Sequence, residues 1–222
     1  MKWAVVFSGA IAMSLFLAIL TGANARATTN IIRDPSYETP PAHALHNIVS
    51  LDFGGGGAGA TFWPLDSHRG HQCIRLTAVD DDLAMVYSQV LSRRRFSDVT
   101  TFGFWYKHIE GVATDLTPIL FMNLTIDGGS YDGYELLVSQ WPDWMQGYNY
   151  DWTFFNKDSW RYSIWDSQNN LVDSGGWPDG VQLAYIQMLF DGTLDGVAIG
   201  IGMASNVGLA GALVDDLIID AV

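Results

Sequence analysis

The chain has 222 residues, 49% of them hydrophobic and 16% charged, with 11 Lys and Arg against 24 Asp and Glu and a formal net charge of −13. That length suits one domain, the apolar content excludes a disordered chain, and the acidity argues against a partner read through nucleic-acid phosphates, which needs a basic surface. The single cysteine, Cys73, excludes an internal disulfide. Among the acids, 21 are Asp and only Glu38, Glu110 and Glu135 are Glu. Asp favours turns and caps over helix interiors, and its short carboxylate suits hard cations, so the bias points to a turn-rich fold with calcium as a candidate ligand.

In chain order, Lys2 precedes an apolar run from Trp3 to Leu20, followed by Ala23-Asn24-Ala25 and Ala25-Arg26-Ala27. A basic start, an apolar centre and A-x-A exits read as a secretory signal peptide over residues 1–27, with one domain over 28–222. The alternative is an uncleaved anchor, because the run is long enough to span a bilayer. Cleavage after Ala27 leaves no later segment of that kind, and the protein is expected to be secreted, to the extracellular space, the cell surface or the periplasm.

The rest of the chain shows no run of helical periodicity with caps. Short alternating runs are expected as strands at Ile48–Phe53, Ala60–Trp63, Gln72–Val79, Ala84–Val90, Thr101–His108, Ile119–Ile126, Tyr134–Ser139, Asp151–Phe155, Trp160–Trp165, Gln182–Phe190, Gly196–Met203 and Gly211–Ile219. Gly54–Gly57 lacks the Lys and the strand–loop–helix setting of a phosphate loop and reads as a linker between strands. Five Asp-Gly steps, at 127–128, 132–133, 179–180, 191–192 and 195–196, suit tight turns. Cys73 lies in an alternating stretch and reads as a small buried hydrophobe. The run Asp80-Asp81-Asp82 reads as a solvated turn, with a second cation site as the sharper alternative. Asn123-Leu-Thr125 is a glycosylation sequon inside an expected strand.

Three short motifs follow one another along the domain: Asn30-Ile-Ile-Arg-Asp-Pro-Ser-Tyr-Glu38, then Phe102-Gly-Phe-Trp-Tyr-Lys107, then Asp215-Asp-Leu-Ile-Ile219. In order and spacing they resemble the jelly-roll carbohydrate-binding modules, within the wider galactose-binding-like sandwiches. Pro35, Tyr37 and Glu38 match the first motif, Phe104, Trp105 and Lys107 the second, and Asp215, Asp216, Leu217 and Ile219 the third. Asp34 stands where Asn is usual and Tyr37 where Phe is usual. The resemblance implies an all-β fold, an antiparallel two-sheet β-sandwich or jelly roll with its first and last strands close together. It also implies a structural Ca²⁺ held by Glu38 with Asp215 or Asp216. Adjacent residues of a strand point to opposite faces, so one of the two Asp is expected to face inward, where a cation or backbone N–H groups would have to satisfy it.

Six of the nine Trp lie between 141 and 177, and Gln140 to Trp152 mixes aromatics with polar residues. Sugars present flat C–H faces edged by hydroxyls, so aromatic platforms beside carboxylates and amides are what a glycan site needs. Trp141, Trp144, Tyr148 and Tyr150, with Asp143 and Asn149, are the candidate binding residues. The competing readings are that these aromatics are core, or that they form a protein interface. Trp152 and Phe154 share one strand face, as do Trp160 and Tyr162.

No catalytic motif stands out. Glu110 and Glu135 could face one cleft, but neither H-E-x-x-H nor G-x-S-x-G is present, and His68-Arg-Gly-His71 reads as surface. The leading expectation is a secreted, non-catalytic domain that binds a polysaccharide or cell-surface glycan, with no nucleic acid and no membrane as partner. The alternatives are a self-associating filament or layer subunit, and a polysaccharide-degrading enzyme of the hydrolase or lyase type.

Overall fold

The computed structural model describes residues 29–30, 32, 35–38, 46–51, 57–79, 82–88, 90, 93–111, 118–140, 151–202 and 209–221. The expected signal peptide lies outside the described residues. Fourteen strands are described: β1 (Thr29–Asn30), β2 (His46–Leu51), β3 (Gly59–Trp63), β4 (Cys73–Val79), β5 (Leu83–Ser88), β6 (Arg94–Arg95), β7 (Val99–Gly111), β8 (Ile119–Ile126), β9 (Glu135–Gln140), β10 (Thr153–Phe155), β11 (Trp160–Trp165), β12 (Leu171–Gly175), β13 (Gly192–Gly202) and β14 (Leu209–Ala221). One α-helix, α1 (Leu183–Leu189), joins β12 to β13, and no described helix is long and apolar enough to cross a membrane.

The strands pair antiparallel into two sheets. The smaller runs β10-β7-β14-β4-β3, with β1 beside the end of β14. The larger runs β12-β11-β9-β8-β13-β5-β2, with β6 beside β13. This is the expected two-sheet sandwich, and the first and last strands are indeed neighbours. Period-2 alternation supplies the core between the sheets: Ile74, Leu76 and Ala78 of β4, Phe104 and Tyr106 of β7, Leu120, Met122 and Leu124 of β8, and Val197, Ile199 and Ile201 of β13 are all buried. Each large apolar side chain so enclosed contributes ~2–3 kcal/mol. Trp160 is fully buried and meets Phe102 edge-on at 4.7 Å, while Trp177 is 65% exposed.

Two expectations are corrected here. Gln182–Phe190 is a helix and not a strand. Its Leu, Ala, Gln and Met are strong helix formers, Leu183 and Ile186 are buried at i, i+3 spacing, and Asp158 Oδ1 accepts the Leu183 N–H at 2.8 Å. Nor do Asp215 and Asp216 divide between inside and outside. β14 has a register shift against β7 between Asp215 and Ile218, and Asp216 has φ +46°. The bulge resets the alternation, so that Val214 and Leu217 both enter the core and both acids stay on the outer side, buried under a loop.

Smaller departures follow the same logic. Leu171–Gly175 forms the edge strand β12 without a strong apolar signal. Of the Asp-Gly steps, 191–192 opens β13 and 195–196 is a bulge inside it rather than a hairpin turn. Asp82 is fully buried, accepting the Gly57 N–H at 2.7 Å, so it is not part of a solvated turn; 80–81 lie outside the described residues. Cys73 is buried as expected, and burial pushes its thiol up to about 12.

Candidate functional site

On the outer face of the larger sheet lies a depression of about 490 Å³, crossing β11, β9, β8, β13 and β5. Its making is a matter of alternation. In β5, Ala84 and Val86 point to the core, so Leu83, Met85 and Tyr87 point out. In β8, Leu120, Met122 and Leu124 point in, leaving Phe121 and Asn123 outside. Leu137 and Glu135 of β9 and Trp165 of β11 complete the walls.

The floor is β13, whose outward positions Gly196, Ala198 and Gly200 carry almost no side chain. Ala198 is the register partner of both Tyr87 and Phe121, so two rings flank one methyl group. A Cβ on Gly196 would come within 1.6 Å of the Tyr87 hydroxyl, and one on Gly200 within 2.7 Å of Met85 Cγ. Gly196 therefore makes room for the Tyr87 ring, and Gly200 for Met85 and Phe121.

One end is polar and opens into a further space of about 310 Å³ edged by the acids Glu135, Asp166 and Asp195 and by Asn123, Thr125, Ser167 and Asn169. Glu135 is the register partner of Thr125 on one side and Trp165 on the other. Asp195 sits in the β13 bulge and accepts the Thr125 hydroxyl at 2.7 Å. Asn123 Oδ1 is buried with no hydrogen-bond partner. Burial, and then the negative charges of Asp195 and Glu135, raise the Tyr87 hydroxyl above its usual pKa.

The outer face of the smaller sheet is organised differently. His68 lies on Trp105 with ring centroids 3.9 Å apart, and Trp152 and Phe154 stand beside them. All three acids expected to hold calcium meet here on the segment 67–72. Glu38 accepts the N–H groups of His71 and Gln72 at 2.7 and 3.2 Å. Asp215 accepts those of His68, Arg69 and Asp216 at 2.9, 3.1 and 2.8 Å. Asp216 meets His68 Nδ1 at 2.6 Å and Arg69 Nε at 3.6 Å. Burial is the main cause that pushes Asp215 up to about 7, against the lowering effect of its N–H donors. The expected juxtaposition of the chain ends is present, but the carboxylates face N–H donors. Among the described residues no three His, Cys, Asp or Glu side chains are arranged to hold a metal ion. The arrangement forms a hydrogen-bonded strap between the two chain ends and the segment 67–72.

The six residues expected to bind glycan, Trp141, Asp143, Trp144, Tyr148, Asn149 and Tyr150, lie outside the described residues. Glu110 and Glu135 are not brought together: they stand on β7 and β9, in opposite sheets, and Glu135 edges the outer depression. The sequon residue Asn123 is half-buried in a central strand. Sequence reasoning missed the depression. The one signal for it was Gly196-Val-Ala-Ile-Gly-Ile-Gly202, whose alternation strips one face of a strand bare.

No protein-family model and no curated protein matches the chain. Solved structures with a similar arrangement include a family 11 carbohydrate-binding module from Clostridium thermocellum in complex with a β-1,3-1,4-mixed-linked tetrasaccharide. It is 15% identical, covers 87% of this chain and 96% of its own, and has a TM-score of 0.45. The module TmCBM61 in complex with β-1,4-galactotriose is 12% identical, with coverage of 87% and 99% and a TM-score of 0.40. The endo-β-1,4-glucuronan lyase of Trichoderma reesei is 10% identical, with coverage of 78% and 95% and a TM-score of 0.31. Binding modules and a lyase thus stand side by side at this distance, and the likeness extends to no ligand.

Proposed function

We propose that the chain is a secreted, non-catalytic carbohydrate-binding domain that holds a glycan in the outer depression of the larger sheet. One observation carries the reading: Tyr87, Phe121 and Trp165 line an apolar depression floored by Ala198, with the carboxylate of Glu135 at its edge. Aromatic faces match sugar C–H faces, and polar groups at the rim match hydroxyls. Affinity electrophoresis or calorimetry against a panel of soluble polysaccharides tests it. Trp165→Ala and Tyr87→Ala should each weaken binding at least tenfold. Binding that survives both but is lost in Trp144→Ala or Tyr148→Ala moves the site to the 141–150 segment, whose aromatic and amide composition still recommends it.

A second reading, a self-assembling surface subunit, is favoured by β12. This strand is the edge of the larger sheet among the described residues, and it exposes Leu171 (54%) and Val172 (46%). Light scattering after size exclusion separates the two: a concentration-independent monomer removes the assembly reading.

A further inference from the structure

Of the tryptophans among the described residues, Trp177 is the most exposed, at 65%. A lone exposed apolar ring is ordinary on a protein surface. This one differs in how it is held and in where it stands. It follows β12 in a loop pinned to the start of β11. Gly176, at φ +91°, lies so close to that strand that a Cβ on it would come within 2.6 Å of the Trp160 carbonyl oxygen and 2.7 Å of Arg161 Cα. Gly180 donates its N–H to the Gly176 oxygen at 2.8 Å, and Trp160 and Val181 exchange backbone hydrogen bonds at 2.7 and 2.8 Å. The Ser159 hydroxyl donates to the Asp179 carbonyl oxygen at 3.0 Å. The Trp177 ring itself lies over the Arg161 guanidinium, with Cζ 5.4 Å from its centroid.

Arg161 ties this ring to the depression. It alternates with Trp160 and Tyr162, which pack toward the core, so it points to the outer face. Its register partner is Ser139, whose hydroxyl accepts the Arg161 Nε–H at 3.3 Å. The same register row continues through Phe121 and Ala198 to Tyr87, all of which line the depression. At ~4.8 Å per strand the row runs about 19 Å from Tyr87 to Arg161, and Trp177 stands at its far end. A short oligosaccharide seated in the depression ends before Trp177, whereas a longer chain laid along the row reaches it. We propose that Trp177, seated on Arg161, is a second aromatic subsite for the glycan, taking the distal sugar rings of an extended chain whose other end lies in the depression. An indole fixed before binding offers a flat apolar face at little loss of conformational entropy. The proposal rests on the depression being the glycan site and adds to it a binding residue and a minimum length of ligand.

Calorimetry on the parent and on Trp177→Ala with the β-1,4-linked trisaccharides and hexasaccharides of glucose, mannose and xylose is the test. For a sugar that binds, the parent should take the hexasaccharide at least tenfold tighter than the trisaccharide. Trp177→Ala should cut that ratio to about twofold or less while leaving trisaccharide affinity within twofold, and Trp177→Phe should restore part of the ratio. If none of these oligosaccharides binds, the readout is retardation by any polysaccharide of the wider panel that holds the parent, and Trp177→Ala should weaken it at least fivefold. Tyr185→Ala, at an exposed ring on α1, should change none of these; a loss there too would mean non-specific adhesion through surface aromatics and would overturn the proposal. Equal parent affinity for trisaccharide and hexasaccharide, or hexasaccharide and polysaccharide binding unchanged in Trp177→Ala, also overturns it while leaving the groove reading intact. Failure of every oligosaccharide and of every polysaccharide in the panel removes both.

Discussion

On the smaller sheet Trp105 is covered by a ring at 3.9 Å, and the acids beside it are engaged by backbone N–H groups and by the side chains of His68 and Arg69. On the larger sheet no described ring stacks on Trp165, Glu135 has no partner among the described residues, and both line a depression of about 490 Å³. The two faces use the same residue types, aromatic rings beside carboxylates, to opposite ends. Where polar groups are satisfied and rings are capped, the cluster fastens one part of the fold to another. Where they are left exposed beside open space, they are hydrated and free to exchange water for a ligand. Counting satisfaction therefore separates the two faces better than counting aromatics does.

The sharpest way to break the comparison is to fill the groove. Gly200→Val, beside the groove, drives Met85 and Phe121 toward it, since a Cβ there comes within 2.7 Å of Met85 Cγ and 3.0 Å of Phe121 Cε2. We expect glycan binding to fall more than tenfold with a melting temperature within a few degrees of the parent; equal binding would show that the ligand lies elsewhere. Trp105→Ala is the mirror experiment. Removing the ring under His68 should cost ~2 kcal/mol, seen as a drop of several degrees in melting temperature, and leave glycan affinity within twofold. A loss of affinity without a loss of stability would mean that both faces bind.

Asp215 offers a finer test. Its folded-state pKa is raised from 3.8 to about 7, so between those values the folded protein holds more protons than the unfolded chain. Its contribution therefore favours folding at low pH and declines as pH rises from about 4 to 7. The melting temperature of the parent relative to Asp215→Asn should fall across that window. A flat difference would show that the three N–H donors cancel burial, and a rising one that they outweigh it. The smallest expected effect is that of metal. With Glu38 and Asp215 both engaged by N–H groups, adding Ca²⁺ or EDTA should move the melting temperature by about a degree or less. A rise of several degrees with Ca²⁺ would replace the strap by the calcium site that the sequence motifs imply.

The sheet content and the meeting of the chain ends were legible because strand alternation and turn residues are local signals. The outer groove was not, because it depends on side chains that are missing from one strand face. Gly196 and Gly200 matter only when Tyr87 from β5 and Phe121 from β8 are brought to either side of them, from 109 and 75 residues away in sequence. The aromatic-rich segment at 141–150 drew attention because density in sequence is visible and proximity in space is not. Likewise the strand period predicted one inward Asp at 215–216, and a single residue at φ +46° cancelled it.

The composition by itself already determined a great deal. With 21 Asp to 3 Glu, 23 Gly and an excess of acid, the chain was bound to be turn-rich, poor in helix and unsuited to phosphate backbones. What those acids do was decided only by tertiary structure. Glu38, Asp215 and Asp216 became fasteners because the segment 67–72 presents N–H groups to them, while Asp195 takes the Thr125 hydroxyl and Glu135 has no partner among the described residues. A carboxylate's role is set by the donors within about 3 Å of it, and those come from strands that the sequence keeps far apart.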